Sequence, residues 1–208
     1  MSLQQDTYPL MDSNRIHDQF HTSNWMVGTM VTLFRQYFGS PERLSLEKAR
    51  LLWSPDPATT QVQIDCVDNL QFDAAAKYPK ILVDIEDQNF PRDVIGDVEN
   101  YEPETGTVNF FNRRTGAFSI ECWGFKKLEA SSIADEILYF LQAYRAPISQ
   151  KYEFRTLRVQ QIIKPVRYRQ FDQYWIGRLI VAFEMDERWG TGVEALKATR
   201  FATQFNFQ

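Results

Sequence analysis

The sequence predicts an α+β fold: a single domain with a mainly antiparallel or mixed β-sheet packed by two main helices, with an N-terminal arm and a C-terminal tail. Three observations lead there. Two apolar stripes at helical spacing stand far apart in the chain, one after residue 23 and one after residue 132. Between and after them lie short runs that alternate apolar and polar residues, as half-buried strands do. The links between those runs are hairpin-like, which favours an antiparallel or mixed sheet over a doubly wound one.

At 208 residues the chain suits one domain of ordinary size. Residues 1–22 are polar and read as an arm, residues 23–186 as the domain, and residues 187–208 as an extension. Ser23 is the expected N-cap of the first helix, with Trp25, Met26, Met30, Leu33, Phe34, Tyr37 and Phe38 on a broad apolar face and Gly39 as the stop. LSLEKARLLW reads as a second helical piece that SPDPATT ends. Val62, Ile64 and Cys66 alternate as one strand, and Ile81, Val83 and Ile85 as another, separated by the helix-friendly DAAAK. Residues 87–105 are acidic with little periodicity and predict a loop.

TVNFFN, RRTG and AFSIECWGF predict a β-hairpin whose turn uses Gly116. KKLEASSIADEILYFLQAYRAP predicts the second main helix, with Ile133, Ile137, Leu141 and Tyr144 in one stripe flanked by Ala134 and Leu138. Ser132 and Asp135 form its expected capping box, and Pro147 its far limit. Two closing strands follow. FRTLRVQQIIK places Leu157, Val159 and Ile163 on one face. YWIGRLIVAFEMD places Trp175, Leu179, Val181, Phe183 and Met185 on one face, with Arg178 and Glu184 opposite. The tail carries Phe201, Phe205 and Phe207, which pack either on a neighbour or back on their own domain.

The net charge of −4 argues against a general nucleic-acid binder, and neither a membrane span nor a signal peptide is predicted. The charge is unevenly spread. Between Asp84 and Glu104 eight acids face the single base Arg92, whereas the stretch from Lys151 to Arg178 carries Arg155, Arg158, Lys164, Arg167 and Arg169. Two solvated surfaces would explain this, and so would complementarity between neighbouring copies. Cys66 and Cys122 sit in apolar runs and read as small buried hydrophobes rather than a disulfide pair.

Catalytic patterns are sparse, and no metal or cofactor is implied. The only histidines, His17 and His21, form HDQFH, which approximates a zinc-protease pattern but has Asp in place of Glu and lies in the polar arm. Asp84 and Glu121 could hold a divalent metal in a PD-(D/E)xK-type nuclease. The position two residues after the second acid is Trp123, however, and Lys126 is displaced to the strand end. Neither GSPERLS nor GTG at Gly190–Gly192 has the order of a phosphate cradle, and there is no GxSxG elbow. The aromatics Phe110, Phe111, Trp123 and Phe125 read as packing groups rather than base-stacking ones.

The segment from Tyr78 to Trp189 resembles the tail-terminator family of tailed bacteriophages, and also neck and tail-completion proteins. The resemblance lies in the order of an N-terminal amphipathic helix, YPKILVDI, the hairpin in GTVNFFNRRTGAFSIECWGF, the helix through ADEILYFLQAY, and the pair RTLRVQQIIK and YWIGRLIVAFEMDERW. It implies a structural virion protein without enzymatic activity, assembled in the host cytoplasm into a ring, usually a hexamer. Such a ring caps the tail tube and ends its polymerisation. Its implied partners are further copies of itself, the tail tube protein, the neck or head-completion connector, and a sheath protein where the tail is contractile. No membrane and no sequence-specific nucleic acid is implied. The charge asymmetry predicts that Glu99, Glu102 and Glu104 meet Arg155, Arg158 or Arg167 of the adjacent copy, with Phe201, Phe205 and Phe207 docking on a neighbour. Another neck or baseplate connector, or a metal-dependent nuclease, is the alternative.

Overall fold

A computed structural model describes residues 22–44, 50–69, 79–89, 98–102, 107–169 and 173–191. The fold is α+β with a mixed sheet, as expected. Its contacts group the chain into two compact units. The larger comprises His21–Pro91 and Arg114–Met185, and the smaller comprises Met1–Phe20, Arg92–Arg113 and Asp186–Gln208.

In the larger unit, helix α1 (Ser23–Phe38) turns Met26, Met30, Val31, Phe34, Tyr37 and Phe38 inward at the spacing that puts them on one face. Its N-cap is Thr22, one residue before the one expected, because the Thr22 hydroxyl accepts the Trp25 N–H at 3.2 Å. The Gly39 N–H returns to Arg35 O at 2.9 Å and ends the helix. Residues 45–49 of the expected second helical piece, and DAAAK, lie outside the described residues; Arg50–Leu51 form a 3₁₀ turn.

The sheet runs β1 (Gln63–Cys66), β2 (Lys80–Asn89), β4 (Thr107–Gly124), β6 (Trp175–Thr191) and β5 (Phe154–Arg167). β1 and β2 pair in parallel, with Ile64 beside Ile81, and the crossover this requires spans residues 67–79. β2 runs antiparallel to β4, and β5 antiparallel to β6. Alternation then sorts the side chains. Ile81 and Val83, Phe118, Ile120 and Cys122, and Leu179, Val181 and Phe183 join α1 and α2 in one apolar core, while Leu82, Trp123 and Tyr174 form a small cluster of their own.

Helix α2 (Lys127–Ala143) buries Ala130, Ile133, Ala134, Ile137, Phe140 and Leu141. Ser132 and Asp135 lie inside it, so they are no capping box. The N-cap is Lys126, and Glu129 does the reaching back, its carboxylate accepting the Phe125 N–H at 2.6 Å. Tyr144 is half-exposed and breaks the helix. Pro147 is the third residue of a further helix, α3 (Arg145–Tyr152), a first-turn position at which its missing N–H has no intrahelical partner to lose. Tyr37 is buried between α1 and α2, and its hydroxyl donates to the buried Glu136 at 2.6 Å. Burial first, then that bond and the negative charge of Glu136, push the Tyr37 hydroxyl far above its ordinary value. A hydrogen bond to a charged acceptor contributes about 1.5–3 kcal/mol.

The predicted hairpin at 107–125 does not form. β4 is one unbroken strand of 18 residues through RRTG. Polar and glycine residues there have packing duties instead of a turn. Buried Arg114 donates to Gln88 and to Ser23, and Gly116 admits a close approach, since a Cβ on it would stand 2.6 Å from Asp87 O and 2.7 Å from Phe183 Cζ. Asp87 lies in a bulge where β2 gains one residue on β4 between Ile85 and Gln88. The hairpin lies one strand earlier. In the smaller unit, β3 (Val98–Glu102) pairs antiparallel with the start of β4, Glu102 opposite Thr107 and Val98 opposite Phe110. The expected loop 87–105 therefore contains the end of β2 and all of β3. The expected extension likewise contributes residues 187–191 to β6. In the same unit Arg113 Nε lies 3.5 Å from Asp186 Oδ1.

Candidate functional site

The two ends of the sheet are finished differently. On β1, the Gln63 N–H donates to Pro79 O on the β2 side at 3.0 Å, so alternation turns the Ile64 carbonyl outward. Arg35 of α1 fills that position, with Nε and Nη2 donating to Ile64 O at 3.0 and 2.8 Å. Its guanidinium also stands 3.6 Å from Asp65 Oδ2 and 5.5 Å from the Trp53 ring centre. Asp65 in turn accepts the Cys66 N–H at 2.9 Å. Side chains thus occupy the hydrogen-bonding groups that an edge strand would offer another chain.

β5 ends the sheet on the other side. It is long, and its pairing to β6 shifts register at three places, between Phe154 and Thr156, Val159 and Gln161, and Ile163 and Val166. The shifts re-aim the strand. Phe154 and Leu157 are buried and Val159 is half-buried in the core, but Ile163, expected on their face, is 37% exposed, Ile162 44% and Val166 62%. A large aliphatic wholly in water forgoes about 1.5–3 kcal/mol of burial, and these, partly covered, forgo a fraction of it. Three such side chains stand on one edge strand, Ile163 and Val166 on the sheet face of Arg178 and Ile176, and Ile162 on the face of Leu179.

The predicted basic residues Arg155, Arg158 and Arg167 all lie on β5 and all are exposed, but the structure does not gather them. Up to about 40 Å of strand separates Arg155 from Arg167. Arg155 is also engaged, with its Nε 3.8 Å from Glu184 Oε1, while Thr156 donates to Glu184 Oε2 at 3.0 Å. Arg158 borders two open grooves. One, of about 430 Å³, runs between α2 and β5 past Leu138, Leu141, Arg145 and Leu157. The other, of about 610 Å³, crosses the sheet past Glu86, Asp87, Thr156 and Glu184. Glu99 and Glu102 belong to β3; Glu104, Phe201, Phe205 and Phe207 lie outside the described residues, as do His17 and His21.

The carboxylates considered for a nuclease do share a sheet face on adjacent strands, with Asp84 opposite Ser119 and Leu82 opposite Glu121. Three of their four oxygens accept hydrogen bonds. Glu121 Oε1 accepts Arg178 Nη2 at 2.6 Å, its Oε2 accepts the Trp123 indole N–H at 3.0 Å, and Asp84 Oδ1 accepts the Ile85 N–H at 2.8 Å. Arg178 also stands 3.6 Å from Glu86, giving a charged ladder across β2, β4 and β6. Among the described residues no three metal-ligating side chains converge. Cys122 is fully buried, and burial, then the charges of Glu121 and Asp135, hold its thiol protonated, so it is a packing group; Cys66 is half-buried.

Sequence reasoning missed Arg35 and the pairing of Arg178 with Glu121. A signal existed for the first, because Arg35 falls four residues after Val31 and one after Phe34, on the border of the apolar stripe. No helix of the described residues is long and apolar enough to cross a membrane. The chain matches no protein-family model and no curated protein.

Proposed function

We propose that this chain is a structural virion protein whose copies form a ring that caps a phage tail tube, ends its polymerisation and joins it to the head-side neck. The observation that supports this best is the unequal finish of the sheet. A subunit that closes one edge with its own side chains and displays cations and aliphatics on the other is suited to head-to-tail contact, the kind that closes into a ring. The helices α1 and α2, the strand β2 and the pair β5–β6 lie where the resemblance expects them, whereas the hairpin expected within residues 107–125 is the single strand β4. The engaged carboxylates at Glu121 and Asp84 weigh against the nuclease alternative.

Electron microscopy of particles assembled without this protein tests the proposal. Abnormally long, headless tails are expected. Tails of normal length without heads would move the chain to a joining role, and intact virions would overturn both.

A further inference from the structure

Helix α2 carries a ridge and walls a groove, and the two complement each other. Leu128, Ser132, Asp135 and Tyr139 follow one another by four, three and four residues, the spacing that keeps side chains on one stripe of a helix. The stripe lies opposite the one that buries Ile133, Ile137 and Phe140. Leu128 is 80% exposed, Tyr139 is 60% exposed, and Asp135 between them is exposed as well. Among the described residues the side chains of Asp135 and Tyr139 make no hydrogen bond or ion pair.

The groove is the one of about 430 Å³ between α2 and β5. Leu138 and Leu141 line it from the helix, Leu157 and Ile162 from the strand. Ile162 pairs with Leu179 and so stands on the helix side of the sheet, yet it is exposed there. Arg145 and Arg158 also line the groove, and among the described residues neither has an ion-pair partner and no acid joins them.

Alone, a solvated helix face and a surface crease would each be ordinary. Together they match in length and in chemistry. From Leu128 to Tyr139 the ridge covers about 16 Å of helix, and from Leu157 to Ile162 the groove follows about 17 Å of strand. The ridge carries the carboxylate that the groove lacks, and the groove carries cations that the ridge lacks. Because both are built on one helix, no chain can lay its own ridge in its own groove.

Resting on the ring reading, we propose that the α2 ridge of one copy of the chain docks in the α2–β5 groove of the next. Asp135 meets Arg145 and Arg158, while Leu128 and Tyr139 cover the aliphatic floor and Ile162. Arg155 takes no part, being engaged with Glu184. One helix face laid in an apolar groove supplies the dry centre, and the opposite charges fix its register. The contact joins two different surfaces, so each copy keeps one of each to offer to a further copy.

The full-length chain tests this by sedimentation velocity at low and at high salt. Wild-type protein is expected to associate with rising concentration, less so at high salt. Reversing the groove with R145E and R158E together, or the ridge with D135R, should weaken association at least about tenfold, the size expected when exposed attractions become repulsions. All three substitutions in one chain should restore it, since the exchanged charges attract again; a misfolded variant would not recover. L128S with Y139S should weaken association equally while leaving the melting temperature unchanged, as substitutions at exposed positions do. Association that is indifferent to R145E and R158E, or that the triple variant does not restore, overturns the contact while leaving the ring reading to the tail-length experiment. A wild-type chain that stays monomeric at every concentration also overturns it, and leaves the groove to a different protein.

Discussion

β1 and β5 solve the same problem in opposite ways. Both are outer strands, with backbone groups that a neighbouring chain could pair. β1 is four residues long and is closed chemically, by Arg35 on the Ile64 carbonyl and Asp65 on the Cys66 amide. β5 is closed geometrically, by three register shifts, Pro165 and Lys164, while its side chains stay on offer. The difference separates two hazards. Backbone pairing is indiscriminate, because every chain has a backbone. Side-chain contact discriminates, because it needs the right charges and shapes. A subunit that must bind its own kind in one arrangement needs the first suppressed at both edges and the second kept at one.

Removing the closure at β1 should have the largest effect. Arg35→Ala deletes two charge-assisted hydrogen bonds and leaves the Ile64 carbonyl open, and we expect a loss of about 2–3 kcal/mol in chemical denaturation, with strand-pairing aggregates detected by thioflavin fluorescence. A variant of wild-type stability that stays clear of aggregates would remove the distinction between the edges. Next comes the helix that carries Arg35. Tyr37→Phe leaves the buried Glu136 without the hydroxyl and should cost about 1–3 kcal/mol; it should also bring a milder form of the same aggregation, because α1 is held less firmly over β1. At β5 the expectation is reversed. Ile162→Lys with Val166→Lys should change stability by less than about 0.5 kcal/mol, as exposed positions do, yet abolish concentration-dependent association. Unfolding and sedimentation of one sample read both quantities, and a large stability loss would show these side chains to be core rather than contact.

Much of this was legible in the sequence, and the failures have common causes. α1, α2 and β6 were readable because one buried face against solvent stamps a period on the residues, as Met26, Met30 and Phe34 or Leu179, Val181 and Phe183 show. β4 was misread as two strands because Arg113, Arg114 and Gly116 have turn-like composition, although Arg114 answers to Gln88 and Ser23, far away in sequence. α3 buries only Ile148 and so carries no stripe to find, and β3 is hidden by its acids. The β5 surface was half visible. Its charges were plain, but strict alternation assigned Ile163 to the core, and only the shift between Val159 and Gln161 turns it outward. At the closed edge of β1 the sequence marks Arg35 as bordering the apolar stripe but not its target, because nothing local links it to a carbonyl 29 residues later.

Gly116 bears on how such a protein can vary over generations. With the Asp87 carbonyl on one side and the Phe183 ring on the other, the position has no room for any side chain at all. Every codon change that alters the amino acid adds at least a Cβ there, so no small, tolerated step leads away from glycine. Exposed positions such as Val166 and Lys164 have room for other side chains and can drift. Position 116 is a fixed point around which that drift must occur, and a lineage could exchange its exposed residues while keeping this one unchanged.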